Sequence, residues 1–351
     1  MEIFEALAKR GHEQVVFWSD PSIGYKGIIA IHDTTLGPAL GGTRFWNYPC
    51  EQEALTDVLR LSRGMTYKAS VAGLNLGGGK SVIIGDNRTL HREMLFRVHG
   101  RAVESLKGRY ITAEDVGTSV DDMEFVRMET DSVAGVRGRS GDPSPTTAYG
   151  VFRGIKASAQ FRYGSDDLSG KHLAVQGLGH VGYYVCKYLA EDGARLTVTD
   201  IDAERVQAIV DEFGAAAVKP DDIYAVDADI FTPCALGAVV NDDTLEVLKV
   251  DIVAGAANNV LGRGEHGAKL HERGVLYAPD YVINAGGLCN VYGEIHGWTV
   301  EQSRQKAGEI FNTLLRIFER AAEDGIPTSQ AADRVAQQRI MDARNLKRSH
   351  V

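Results

Sequence analysis

The feature that most constrains the fold is a glycine run set between two regular elements. An apolar stretch, residues 172–176, leads directly into Gly177-Leu178-Gly179-His180-Val181-Gly182, and a helical pattern starts at Gly179. In that setting Gly177 permits a tight turn, Gly179 lets backbone N–H groups approach a pyrophosphate, and Gly182 lets helix and strand pack closely. His180 and Val181 complete the run, so the whole segment is a candidate cofactor cradle. The glycines alone are a weak signal. Here, however, the apolar run 196–199 ends in Asp200, 18 residues after Gly182. A carboxylate at that point accepts hydrogen bonds from the adenosine ribose hydroxyls and repels a 2′-phosphate, so NAD is expected rather than NADP.

The surrounding pattern extends this reading. After Gly170, strands near 172–176, 196–200, 229–231, 252–254 and 275–277 and helices from 179 and over 203–213 predict a parallel, doubly wound, Rossmann-type sheet. Upstream, residues 14–32 read as two strands about a Pro/Ser/Gly turn, and 51–72 as a helix stopped by Gly73. Gly77, Gly78 and Gly79 are expected to interrupt regular structure before a buried strand at 82–84. A helix over 92–106, a strand at 110–112, a helix over 146–161 and two long helices, 300–324 and 329–341, complete the outline. At 351 residues the chain suits two domains sharing a cleft, and the Gly/Ser/Pro-rich stretch 135–145 marks the boundary.

Composition excludes several function classes. A net charge of -9 argues against a nucleic-acid or anionic-membrane surface, because phosphate binding needs clustered positive charge. The mildly basic run Arg344-Asn345-Leu346-Lys347-Arg348 reads as a solvated tail. Cys50, Cys186, Cys234 and Cys289 show no CxxC spacing, so neither a metal site nor a disulfide framework is indicated and buried reduced thiols are expected. The sequence opens without a basic region followed by an apolar run and contains no run of 18 apolar residues, which together predict a cytoplasmic protein.

Two lysines are candidates for chemistry. Lys68 falls in the last turns of the helix 51–72, where a lysine is usually solvated. Lys80 follows three glycines that expose backbone and precedes an apolar strand. A lysine held among apolar groups loses solvation of its charged form, so its pKa can fall from ~10.4 into general-base range. Asp115 is the nearby carboxylate able to exchange protons with such a lysine, although most aspartates at strand ends are caps or turns.

Taken together, Thr34-Thr35-Leu36-Gly37-Pro38-Ala39-Leu40-Gly41-Gly42-Thr43-Arg44, Gly64-Met65-Thr66-Tyr67-Lys68, Leu76-Gly77-Gly78-Gly79-Lys80, Ala113-Glu114-Asp115-Val116-Gly117, Gly255-Ala256-Ala257-Asn258-Asn259 and Tyr277-Ala278-Pro279-Asp280-Tyr281-Val282-Ile283-Asn284-Ala285-Gly286-Gly287 resemble the glutamate/leucine/phenylalanine/valine dehydrogenase family, over about residues 12–338. The resemblance implies that Lys68 and the backbone around Gly41 and Gly42 hold a substrate α-carboxylate, with Lys80 the catalytic lysine and Asp115 its proton-transfer partner. It implies that Thr147 meets the nicotinamide carboxamide, that Ala256, Asn258 and Asn284 lie with the cofactor, and that Asn259 borders the substrate. Leu40, Ala113, Leu288 and Val291 are implied to line the side-chain pocket. The implied domains are residues 1–136 for substrate and oligomerisation, completed by a C-terminal helix of about 326–351, and residues 137–325 for NAD. The chain departs from the family pattern at Asn87, where proline is expected, and at Val260, where glutamine commonly follows the paired asparagines.

The function these observations imply is reversible, NAD-dependent oxidative deamination of a branched-chain L-amino acid (leucine, valine or isoleucine) to the 2-oxo acid and ammonium. The same reaction on phenylalanine or tryptophan, or a non-catalytic NAD-binding sensor, are the alternatives. A sensor is expected to lack Lys80 or Asp115, and both are present. By resemblance the protein is a homo-oligomer, an octamer.

Overall fold

The computed structural model describes residues 2–89, 91–138, 141–235 and 237–348. The chain divides into two compact units, one of residues 1–141, 294–297 and 336–351, the other of residues 142–293 and 298–335. Residues 139 and 140, inside the Gly/Ser/Pro-rich stretch, lie outside the described residues.

Among the described residues, the first unit is built on β1 (Gln14–Asp20), β2 (Tyr25–Asp33), β3 (Ala39–Trp46), β4 (Gly77–Ile84) and β5 (Tyr110–Glu114), in the order β1-β2-β4-β3-β5. β1 and β2 form an antiparallel hairpin and β2 runs antiparallel to β4, whereas β3 is parallel to both β4 and β5. The helix Glu51–Val71 covers one face, packing Leu55, Val58 and Leu59 on Ile28, Ala30 and Val82. The helix Arg92–Glu104 covers the other, placing Leu95 and Phe96 against Phe45 and Ile83. Strand alternation therefore decides which residue meets which helix.

Gly77, Gly78 and Gly79 do not interrupt the sheet; they begin β4. The expectation of a break fails because glycine is used here for closeness rather than for a turn. A Cβ on Gly78 would stand 2.1 Å from the backbone N of Thr66 and 2.5 Å from the carbonyl O of Ser62, so the bare strand lets the helix Glu51–Val71 lie directly on the sheet. The neighbouring backbone cannot yield cheaply. Gly78→Ala should destabilise the protein by about 3 kcal/mol, a Tm loss of roughly 10 °C, and an unchanged thermal denaturation curve would contradict this packing.

In the second unit, again among the described residues, β6 (His172–Gln176), β7 (Arg195–Thr199), β8 (Ala216–Ala217), β9 (Ile230–Pro233), β10 (Ile252–Val253) and β11 (Leu276–Tyr277) form a wholly parallel sheet ordered β11-β10-β9-β6-β7-β8. That is the doubly wound order, and its direction reverses between β6 and β9, where ligands of such sheets bind.

Other expectations need correction. The helix foreseen over 300–324 is two, Val300–Gly308 and Ile310–Asp324, broken where the Glu309 N–H turns back to the Lys306 carbonyl just after a glycine. Residues 344–348 are the last turn of the helix Thr328–Arg348 rather than a free tail: Arg344 bonds Asp33 at 2.5 Å. Upstream on that helix, Gln337 donates to the Tyr67 hydroxyl at 2.7 Å and Arg339 to the Leu74 carbonyl at 2.8 Å. The cysteines are not uniformly buried. Cys186 and Cys289 are, Cys234 is intermediate, and Cys50 is exposed because it precedes the first turn of the helix Glu51–Val71. Among the described residues no helix is long and apolar enough to cross a membrane.

Candidate active site

In the first unit, alternation sorts the motif residues onto the two faces. Thr43, Ser81 and Thr112 meet on the Arg92–Glu104 side, where the Thr43 and Ser81 hydroxyls stand 2.8 Å apart and those of Thr43 and Thr112 2.6 Å apart. The residues between them, Leu40, Gly42 and Arg44 on β3, Lys80 on β4 and Ala113 on β5, therefore share the opposite face, under the helix that carries Lys68. Lys68 is half-buried in that helix's last turn. Gly41 and Gly42 are required by crowding: a Cβ on Gly41 would meet the Gly79 carbonyl O at 1.8 Å, and one on Gly42 would meet the Glu114 carbonyl O at 2.4 Å.

Lys80 Nζ lies 3.0 Å from Asp115 Oδ1, with the lysine side chain only 6% exposed and the aspartate 23%. Burial pulls Lys80 below its ordinary pKa, and the facing Asp115 carboxylate only partly opposes this. Burial alone would raise the Asp115 carboxyl, but Lys80 and Arg44 outweigh it and hold it below the usual range. A buried lysine that yields its proton more readily than usual thus faces a carboxylate kept ionised.

Sequence reasoning missed what stands behind this pair. Arg44 Nε donates to Asp115 Oδ2 at 2.9 Å and Arg44 Nη1 to Asp57 Oδ2 at 2.8 Å. Asp57 also accepts from the Tyr48 hydroxyl at 2.8 Å and from Arg60 at 3.0 Å. The available signal was the spacing of Leu40, Gly42 and Arg44, which on a strand points all three to one side.

In the second unit the glycine run forms a cradle where β6 ends. Gly177 adopts φ +95°, and a Cβ there would lie 2.5 Å from the Ala235 Cβ. A Cβ on Gly182 would lie 2.0 Å from the Gly177 carbonyl O, so this glycine lets the helix His180–Glu191 approach the strand. Gly179 differs. Its nearest neighbour would be Arg205 Nη1 at 3.9 Å, leaving room that the protein itself does not fill. His180 is exposed and Val181 half-buried at the start of the helix. Asp200 accepts the Leu178 N–H at 2.6 Å and the Asp202 N–H at 2.9 Å, which ties it to the glycine run.

Gln176, Gly177, Gly179, Asp200, Arg205 and Tyr224 line part of a cavity of about 600 Å³. The Gln176 Oε1 is buried without a hydrogen-bond partner, while its amide nitrogen donates to the Tyr224 hydroxyl at 2.6 Å. An open glycine, a bonded carboxylate and an orphaned acceptor in one cavity fit an adenosine diphosphate moiety.

The other motif residues of this unit gather separately. Asn284 Nδ2 donates to Asn258 Oδ1 at 2.7 Å and to the Ala256 carbonyl at 3.1 Å. Asn259 takes a left-handed conformation, φ +51°. Val260, where the family pattern has glutamine, is buried in the apolar core with Leu270 and Tyr277. Leu288, buried, and Val291, half-buried, lie on the helix Gly286–His296. The first glycines of that helix abut the start of the helix Ser144–Tyr163, where a Cβ on Gly287 would meet the Thr147 hydroxyl at 2.9 Å.

A third cluster, Asp242, Glu265 and His266, brings its ligand atoms within 4.8 Å of one another, but those groups are already engaged. Arg263 and Lys269 each bond Asp242 at 2.5 Å. The His266 Nδ1 accepts the Arg263 N–H, which leaves the ring proton, rather than a lone pair, on Nε2.

Residues 12–132 match the family model "Glu/Leu/Phe/Val dehydrogenase, dimerisation domain", and residues 197–348 match "Glutamate/Leucine/Phenylalanine/Valine dehydrogenase". Leucine dehydrogenase of Bacillus subtilis is 56% identical over 97% of this chain and 94% of its own length. The crystal structure of L-tryptophan dehydrogenase from Nostoc punctiforme superposes with a TM-score of 0.90 at 47% identity, covering 97% of this chain and 99% of that one. A glutamate dehydrogenase from Thermus thermophilus shares the fold, with a TM-score of 0.77 at 21% identity over 98% of this chain and 95% of that one. With its motifs, two-unit fold and full-length relatives in agreement, the chain belongs to the glutamate/leucine/phenylalanine/valine dehydrogenase family of amino acid dehydrogenases.

Proposed function

We propose that the protein catalyses the reversible, NAD-dependent oxidative deamination of branched-chain L-amino acids, consuming water and giving the 2-oxo acid, ammonium, NADH and a proton. The observation that carries this reading is the buried Lys80–Asp115 pair on the sheet face that also bears Gly42, under the helix that carries Lys68. When bound, NAD supplies the acceptor for the Cα hydride.

The chain's own residues do the rest. The Lys68 ammonium and the backbone at Gly41 and Gly42 hold the α-carboxylate and so orient Cα–H. Loss of hydride leaves a substrate iminium, and neutral Lys80 removes a proton from the water that attacks it. Asp115 exchanges protons with the amino group, which departs as ammonium. Thr147, Ala256, Asn258 and Asn284 are assigned to the nicotinamide side of the cofactor, Asn259 to the substrate's border, and Gly177 to Gly182 with Asp200 to the pyrophosphate and ribose. Leu40, Ala113, Leu288 and Val291 are assigned to the substrate side chain.

Leucine dehydrogenases at 54–56% identity favour a branched aliphatic substrate. L-Tryptophan dehydrogenase and phenylalanine dehydrogenase, both 48% identical, support an aromatic one as the second reading. The reading includes a homo-oligomer, octameric by resemblance. β1 lies at an edge of its sheet with Phe17 exposed, which supports an association surface there.

The preference for NAD rests on Asp200, which would lie against a 2′-phosphate. Initial rates with leucine should give kcat/KM at least about ten-fold higher for NAD than for NADP, a difference of ~1.4 kcal/mol, and Asp200→Ser should narrow the gap. A higher value with NADP would refute the cofactor assignment.

A further inference from the structure

We propose that Arg44 is a positioning residue for the Lys80–Asp115 pair, a clamp that fixes Asp115 by one oxygen so that the other is left for Lys80. This rests on the function proposed above and adds to it a residue that none of the motif roles includes.

The geometry is that of a fork. Asp115 spends Oδ2 on Arg44 Nε at 2.9 Å and Oδ1 on Lys80 at 3.0 Å. Its backbone is tied as well: the Asp115 N–H donates to the Thr118 hydroxyl at 2.9 Å, and that hydroxyl lies 3.1 Å from the Thr43 carbonyl. The guanidinium is itself held, because its Nη1 donates to Asp57 Oδ2 at 2.8 Å. Asp57 is fixed in turn by Tyr48 and Arg60. A planar guanidinium can bond two carboxylates in set directions at once, which a lysine ammonium on a flexible stem does not reproduce. Arg44 and Asp57 are both largely shielded, with side chains 21% and 18% exposed, so their charges act on the pair through little solvent.

The charges have opposite effects on Lys80. Facing the pair are Arg44 from β3, Asp57 and Arg60 from the helix Glu51–Val71, and the Tyr48 hydroxyl; Glu114 and Tyr110 of β5 are coupled to Asp115, just past that strand. Arg44 disfavours a second cation at Lys80, whereas Asp57 favours it. Removing Arg44 should therefore keep Lys80 protonated to higher pH and let Asp115 take up a proton more readily, while neutralising Asp57 should release the Lys80 proton at lower pH.

The test is the pH dependence of kcat/KM for leucine in the full-length protein. Arg44→Met should move the acidic limb up by about one pH unit, and Asp57→Asn should move it down. Arg44→Lys should bring the limb back toward wild type, since the charge returns, while kcat stays depressed, since the fork does not. A purely structural role would lower rate and Tm with the limb in place. A limb that stays put in Arg44→Met, or moves in the same direction in both neutral variants, overturns the proposal. Should Arg44→Met fail to fold, Arg44→Lys and Asp57→Asn decide: a fully retained kcat in the former, or an unmoved limb in the latter, overturns it. A wild-type protein inactive on every amino acid would instead defeat the underlying functional reading, so the two failures are distinguishable.

Discussion

Lys80→Ala should lower kcat for leucine by about 10²–10⁴-fold, the contribution of a well-placed general base, while NADH binding, read by fluorescence titration, is unchanged. The two measurements separate because Lys80 lies in the first unit, on β4, whereas the glycine run and Asp200 belong to the second. The wild-type pH profile should carry the same residue's mark. Burial lowers the Lys80 pKa from its ordinary value, so the neutral form, and with it kcat/KM, should grow as pH rises, along a limb that lies below pH 10.5. Loss of Lys80 should remove that limb. A variant turning over leucine at near-normal rates would sink the assignment.

The reasons Lys80 was legible in the sequence differ from those that made the glycine cradle legible. The cradle is local chemistry: Gly177, Gly179, Gly182 and Asp200 fall within 24 residues and each meets a steric or hydrogen-bonding demand of one strand–turn–helix unit. Lys80 and Asp115 are 35 residues apart, and only the parallel register of β3 with both β4 and β5 puts them side by side. Residue type and resemblance named them, while the sheet order that joins them left no trace in periodicity.

The same limit hid Arg44 and Asp57, one on a strand and one on a helix, whose meeting depends on the helix lying close against β4. That closeness comes from Gly78, in the very run taken as a break, because a glycine's tolerance of positive φ and its lack of bulk look identical in sequence. The first unit was thus readable as a set of residues, and the second as a structure.

Glutamate should be a very poor substrate, and this expectation follows from which side chains are available to receive it. Leu40 is buried on the Lys80 face of the first sheet and Ala113 stands beside it in register with Gly42. In the second unit, Leu288 and Val291 present hydrocarbon on the helix Gly286–His296. None of the four can hydrogen-bond or neutralise a second carboxylate. The two cations that share Leu40's face, Lys80 and Arg44, already serve Asp115, and Lys68 is assigned to the α-carboxylate. An anion desolvated without a partner is penalised by several kcal/mol, which at 1.4 kcal/mol per decade means kcat/KM for glutamate about 10³-fold or more below that for leucine. Leucine, valine and isoleucine should be good substrates, and phenylalanine worse, because the Ala113 methyl crowds a ring where glycine would not. Leu40→Lys puts the missing cation on this face, so it should depress leucine turnover and narrow the gap to glutamate. If that variant leaves the substrate profile unchanged, Leu40 is ordinary core. If phenylalanine or tryptophan outpaces leucine in a panel of initial rates, the branched-chain reading gives way to the aromatic one while the reaction class stands.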